Sequence, residues 1–565
     1  MKEQSKNKDI RIRSWLQFIY AVAFIVLSAA AASLIRFRID LSEDKRYTLS
    51  SPTREILSSL DDDIYIQVFL EGDIPIPLKR LKRSVSELLE EFRLASGRRI
   101  DFEFINPSAA SNSKDREKQY VTLAGKGLVP VDLRASDAEG GSSVKRIFPG
   151  MIVNFNGIEV PVNFLKNNPS LSTDQNILHS VEGLEYEIIE TISTLSSDTV
   201  YRVAFIEGQK ELPEIETADI TMHLARFFTV DRGAIGGIPG VLDKYAAVII
   251  AGPSEEFSES DKLVLDQYIM NGGKVMWFID EVEVNRDSLA YGQTFGFYRP
   301  LNIEDQLFRY GVRVNPYIVK DLECNVIRLK NTSGGNQQFI SLPWVYNPML
   351  IPSPDHSITR NINRVKGEFV SYIDTVGLDG KIKKEVLLST SVYTKKVAPP
   401  LLISLKEAEA VPDEKEYNNS SLPVAVLLDG TFPSAFRNRA VSMGNIKFRD
   451  RSSPTRMIIV ADADIIRNEV KRNGPEAVPL QLGQDKYTGE IYGNRDFIVN
   501  SLNWLVDDNG LLDLRSREIK LRLLDRTKIK SSKTFWQLLN LLAPVLIVAL
   551  SGFLYTYFRK RKYTA

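Results

Sequence analysis

Two long uncharged apolar runs near the ends of this chain constrain its fold more than any other feature. Ser14 to Ile35 reads "SWLQFIYAVAFIVLSAAAASLI", 22 residues, and Thr534 to Phe558 reads "TFWQLLNLLAPVLIVALSGFLYTYF", 25 residues. A helix of about 20 apolar residues crosses the bilayer core, so both runs are expected to be transmembrane helices. Trp15, Trp536, Tyr555 and Tyr557 stand near the ends of the runs, where interfacial aromatic residues belong. Pro544 would kink the second run, a break that helices in lipid tolerate. Two rival readings stand beside this one. Either run would also suit a buried core helix, and "SAAAAS" gives the first the small residues of a signal-peptide cleavage site.

Charge sets the expected orientation. Lys2, Lys6, Lys8, Arg11 and Arg13 precede the first run, and Arg559, Lys560, Arg561 and Lys562 follow the second. Positive flanks stay in the cytoplasm. Both termini are therefore expected there, with the bulk of the chain periplasmic and the protein in the inner membrane. Arg36, Arg38, Lys528, Lys530 and Lys533 weigh against that reading on the other side. The expected order is a cytoplasmic N-terminus (1–13), a span (14–35), a membrane-proximal α/β domain (36–197), a larger α/β domain (198–515), a stalk (516–533), a span (534–558) and a cytoplasmic C-terminus (559–565).

The stretch "RFRIDLSEDKRYTLSSPTREILSSL", Arg36 to Leu60, is too charged and too well punctuated for a flexible linker. "RFRIDL" alternates as a half-buried strand does. Ser51 followed by Pro52 reads as a helix N-cap and first turn. The segment is expected to form a folded membrane-proximal collar in which Asp40, Asp44 and Arg46 make the contacts.

Beyond it, "IYIQVFLEG", "LKRLKRSVSELLEEFRLAS" and "IDFEFINP" read as strand, helix and strand. The helix sets Leu78, Leu81, Val85, Leu88, Leu89 and Phe92 on one face. This is a thioredoxin-like βαβ unit without a C-x-x-C pair, so redox chemistry is excluded at that place. "NG" at Asn156-Gly157 signals a hairpin with a type I′ turn. From "TVYRVAFIEG" onward, "YAAVIIAGP", "KVMWFID", "LPVAVLLDG" and "TRMIIVADAD" are near-continuous apolar strands that alternate with helices. That pattern predicts a doubly wound parallel sheet, flavodoxin-like or amidotransferase-like, with an inserted region at about 300–420.

Composition removes several classes of function. Lys+Arg and Asp+Glu both number 72, which points to no nucleic-acid partner. One cysteine, Cys324, permits no internal disulfide and no cysteine-based metal site. The three histidines, His179, His223 and His356, lack metal-ligand spacing. No phosphate-binding glycine loop and no G-x-S-x-G elbow occurs. No cofactor is expected. Ligands of open α/β sheets bind at the carboxyl ends of strands, so the contact candidates are Glu207, Gly208 and Glu211 in "FIEGQKEL", Asp280 in "FIDEVE", and Asp462 and Asp464 in "VADADIIRN". Glu207, Gly208 and Glu211 would face a ligand or simply serve a tight turn that needs glycine, Asp280 would face a ligand or sit at a helix start and suit its dipole, and Asp462 and Asp464 would be the pair to hold Mg²⁺.

Five segments in order, "RIDLSEDKRYTLSSPTREIL", "GLEYEIIETI", "VAFIEGQKEL", "AVIIAGPSEEFSESDKLVLDQYIMNGGKVMWFID" and "YGNRDFIVNSLNWLVDDNGLLDLRSREIKLRLLD", resemble the gliding-motility-associated GldG components of ABC transporters in Bacteroidetes. The resemblance covers nearly the whole chain. It implies a substrate-binding or auxiliary subunit that works with a polytopic permease and a separate cytoplasmic ATPase. It implies an ABC-transporter auxiliary domain and an amidotransferase-like region outside the membrane. Relatives often carry a Gly-His-Gly-Glu-like turn where this chain has Gly208-Gln209-Lys210-Glu211, so no histidine chemistry transfers. The family offers no catalytic residues to carry over. Two other readings stay open: an envelope scaffold that binds cell wall or another envelope protein, and a membrane-anchored amidotransferase-like hydrolase.

Overall fold

The computed structural model describes residues 48–511 with short gaps (111, 137–141, 166–171, 198–199, 332–337, 378–380, 438, 440–447, 474–475, 508–509), residues 531–563, and part of 15–28. The chain divides into two units, Thr48–Arg517 and the two terminal segments.

In the terminal unit, the helix Lys533–Tyr563 contains Pro544 without interruption. Among the described residues, Lys533–Arg561 is the one stretch long and apolar enough to cross a membrane. Most of the N-terminal run lies outside the described residues, as do the stalk at 516–530 and the collar residues Asp40, Asp44 and Arg46.

The larger unit begins with the helix Ser51–Ser58. Its cap is Ser50 rather than Ser51: the Ser50 side chain accepts from the Thr53 N–H, and Pro52 takes the second helical position. Ser50 wins because its backbone is already extended, with ψ at 161°, which an N-cap requires. Thr53 Oγ1 donates to Glu185, tying this helix to the helix Thr173–Ser196. That long helix starts in a full capping box, Ser172 with Gln175.

A four-stranded sheet runs in the order Ile100–Phe104, Ile64–Val68, Gly150–Phe155, Ile158–Asn163. The first pair is parallel and the other two antiparallel. Asn156 and Gly157 both have positive φ, 51° and 82°, as the expected hairpin turn demands. Leu78, Leu81, Val85, Leu89 and Phe92 of the helix Ile76–Ala95 are buried in one core with this sheet, while Leu88 packs at its margin.

The second sheet corrects the expectation of an all-parallel sheet. Five strands are parallel: Thr229–Ala234, Arg202–Glu207, Ala247–Ala251, Lys274–Phe278 and Thr455–Val460. Pro423–Gly430 then pairs antiparallel with Thr455–Val460. Ile382–Ser389, Gln338–Pro352 and Cys324–Asn331 continue antiparallel from it. A strand covered on both faces reads as a continuous apolar run whichever way it points, so "PVAVLL" gave no sign of its direction. The expected insertion at about 300–420 is only partly separate: Cys324–Asn331, Gln338–Pro352 and Ile382–Ser389 extend the main sheet, whereas Val312–Asn315 with Tyr372–Thr375 and Ile318–Asp321 with Thr394–Val397 form two-stranded sheets of their own.

Helices cover both faces of the parallel half. Val203 and Phe205 point into a core with Leu224, Phe497 and Leu502. Ala204 and Ile206 point into the opposite core with Leu265, Ile269 and Leu307. The period of two along one strand thus feeds two cores.

Candidate functional site

The carboxyl ends of the parallel strands open into a cleft of about 510 Å³. A second lobe of about 210 Å³ shares Glu216, Arg286, Asp464, Arg467 and Arg472 with it. Gly252 follows the strand Ala247–Ala251 and takes a φ of +64° at the cleft wall. A Cβ there would sit 3.0 Å from Ala463 Cβ and 3.1 Å from Leu212 Cγ, so the close approach of these turns needs glycine.

Three of the expected residues converge. Asp462, fully buried, ends the strand Thr455–Val460 and caps a short 3₁₀ turn. Its Oδ1 accepts from the Asp464 N–H at 2.8 Å and its Oδ2 from the Glu368 N–H at 3.0 Å. Asp280 follows the neighbouring strand, and its Oδ1 accepts from the Ala463 N–H at 2.7 Å. Asp464 receives Arg286 Nη2 on one oxygen and Arg467 Nη1, at 3.0 Å, on the other. Arg286 Nε also donates to Glu368 at 3.1 Å, and Arg467 Nε lies 2.9 Å from Glu216.

Glu211 lines the same cleft from the end of the strand Arg202–Glu207. Its Oε2 accepts from the Gln209 N–H at 2.9 Å, whereas its Oε1 is buried without a hydrogen-bond partner. Glu207 and Gly208 do not line the cleft. Glu207 is exposed and pairs with Arg232 of the adjacent strand at 3.4 Å. Gly208 serves the turn, with φ +127°.

The protonation pattern follows from this arrangement. Burial raises Asp280, and the charge of Asp464 adds to it, up to about 6. Burial raises Asp462 well above the usual carboxylate range, with Asp464 and Asp280 acting the same way. Glu368 moves the other way. Burial opposes its charge, but Arg286, Lys366 and Arg467 outweigh burial and hold it at about 2. The site therefore places aspartates of raised proton affinity beside a fixed carboxylate–guanidinium lattice.

Among the described residues, no group of three His, Cys, Asp or Glu side chains is arranged to hold a metal ion. Each aspartate oxygen named above is already turned to a backbone N–H or a guanidinium. His223 sits on the helix Ala218–Leu224, with Nδ1 2.8 Å from the Asp219 carbonyl and Nε2 3.2 Å from Arg495. Burial and Arg495 lower its pKa. Sequence reasoning missed Arg286, Glu368 and Arg467. Arg286 lies 82 residues from Glu368 and 178 from Asp464, and such separations leave no local pattern.

The cleft lies wholly within residues 201–501, which match the model of the family described as ABC-type uncharacterized transport system. That match covers more than half of the 565 residues. The chain belongs to this family. An ABC-type transport auxiliary chain of this kind is associated with transporter components, and its C-terminal apolar helix supports membrane anchoring. Residues 43–154 match a domain of unknown function (DUF7088). An uncharacterized protein of Borreliella burgdorferi is 20% identical to this transport-family chain over 570 residues, covering 99% of each. Among solved structures, the mmIFT52 N-terminal domain aligns at 14% identity and a TM-score of 0.31, over 54% of this chain and 96% of its own.

Proposed function

We propose that the chain is a non-enzymatic, membrane-anchored subunit of an ABC transport complex, with its bulk in the periplasm. It works with a permease and a separate cytoplasmic ATPase, in a system linked to gliding motility. The family match over 201–501 supports the transport-subunit part of the reading, and the gliding link rests on the resemblance of the five sequence segments. The order and directions of the four-stranded sheet agree with a thioredoxin-like first domain, and the parallel half of the second sheet agrees with an amidotransferase-like one. The non-enzymatic part draws support from Cys324. Burial, with Asp321 adding to it, pushes its thiol up to about 11, which keeps it protonated and weakly nucleophilic at neutral pH.

Native electrophoresis of mildly solubilised membranes tests this reading. The full chain is expected in a complex well above its own 63.8 kDa. A chain lacking both apolar runs, 14–35 and 534–558, is expected to leave both the membrane fraction and that complex. Migration of the full chain at its monomer position would overturn the proposal.

A further inference from the structure

The cleft is chemically lopsided. Most of its charges are neutralised within the site: Arg286 by Asp464 and Glu368, Arg467 by Asp464 and Glu216, and Lys210 by Glu255 at 2.6 Å. The remainder is informative. Arg472 lines both lobes and is exposed, with no ion-pair or hydrogen-bond partner among the described residues. Asp287 lines the larger lobe in the same unpaired state. Glu211 brings a buried carboxylate oxygen with no hydrogen-bond partner, and Asp280 turns only one oxygen to the Ala463 N–H. The larger lobe therefore offers unpaired carboxylates beside Arg299, whose Nε is buried without a hydrogen-bond partner and whose ion pair with Glu283 is long at 3.9 Å, while the wall it shares with the smaller lobe offers the exposed, unpaired guanidinium of Arg472.

A buried carboxylate oxygen left without a donor costs free energy that a bound donor would recover. A guanidinium standing free in a cleft is suited to a ligand carboxylate, which it binds through paired N–H donors. The combined space falls in the range of small-molecule sites. A plain anion satisfies Arg472 but meets the carboxylates. A plain cation leaves Arg472 unused. We infer that this cleft binds a small zwitterion, a short peptide or amino acid, with its ammonium at Glu211, Asp280 and Asp287 and its carboxylate at Arg472. This deepens the transport reading, and rests on it only for where the ligand goes next.

Tri-alanine is the probe, titrated calorimetrically into the detergent-solubilised full chain. N-acetyl-tri-alanine amide, which has the same backbone and neither end charge, is the control. Tri-alanine is expected to bind, and the capped peptide at least about tenfold more weakly. Arg472→Ala is also expected to weaken tri-alanine by about tenfold or more, the effect of losing a charged hydrogen bond. Its melting temperature should stay unchanged, because Arg472 holds nothing in the fold. No heat of binding for tri-alanine, equal affinity for the capped peptide, or wild-type affinity in Arg472→Ala would each overturn the inference. Binding is read with no transporter present, so any such failure leaves the chain's place in a complex untouched.

Discussion

Arg286→Ala is expected to destabilise the chain by about 1–2 kcal/mol at neutral pH, the scale for removing the charged partner of a half-buried, partly screened pair. Arg286 joins Glu368 and Asp464, two carboxylates from distant parts of the chain, and without it both face each other beside Asp280 and Asp462. The pH dependence is fixed by Glu368. Its folded pKa of about 2 lies below the ordinary 4.5. The stability it confers is present above 4.5 and is lost as pH falls through about 2. The gap between wild type and Arg286→Ala should accordingly be widest near pH 7 and close between about pH 4 and pH 2. Thermal unfolding followed by tryptophan fluorescence measures it. An Arg286→Ala midpoint equal to wild type at pH 7 would show that the lattice contributes nothing to the fold.

Asp280→Asn is expected to act in the opposite direction. The folded pKa of Asp280, about 6, lies above the ordinary 3.8. Its favourable contribution is present below 3.8 and is lost as pH rises through about 6. At pH 7.5 the wild type therefore carries a charge that its surroundings disfavour. Asparagine keeps the side-chain oxygen that accepts from the Ala463 N–H and removes that charge. The variant should be more stable than wild type by about 1–3 kcal/mol at pH 7.5, since each tenfold change in proton affinity on folding corresponds to roughly 1.4 kcal/mol. Near pH 4 the two should be indistinguishable. Lower stability of Asp280→Asn at pH 7.5 would mean that Asp280 is held charged by a partner.

These effects show which parts of the molecule the sequence could disclose. Short-range signals were legible. "AVIIA" and "KVMWF" are buried on both faces and read as such, and the spacing of Leu78, Leu81, Val85 and Leu89 marks a helix face. Asn156-Gly157 gives its turn away because few other pairs accept two positive φ values. The direction of Pro423–Gly430 was hidden, since burial pattern carries no polarity. The site divides in the same way. Asp280, Asp462 and Asp464 were visible as acids at strand ends, where open sheets gather their ligands. Glu207, equally placed in sequence, is drawn to Arg232 instead, because side chains alternate and one residue decides the face. Arg286 meets Glu368 and Asp464 across 82 and 178 residues, so that convergence is a property of the fold alone, whereas Arg467 stands three residues from Asp464 and lay within reach of a local reading.

The claim that this chain is one subunit of an ABC transport assembly is tested most directly by affinity purification of the full-length protein in mild detergent, with co-purifying chains identified by mass. The account predicts a polytopic membrane protein and a nucleotide-binding subunit recovered in fixed ratio with it. Recovery of the chain alone, or with envelope proteins and no permease, would contradict it.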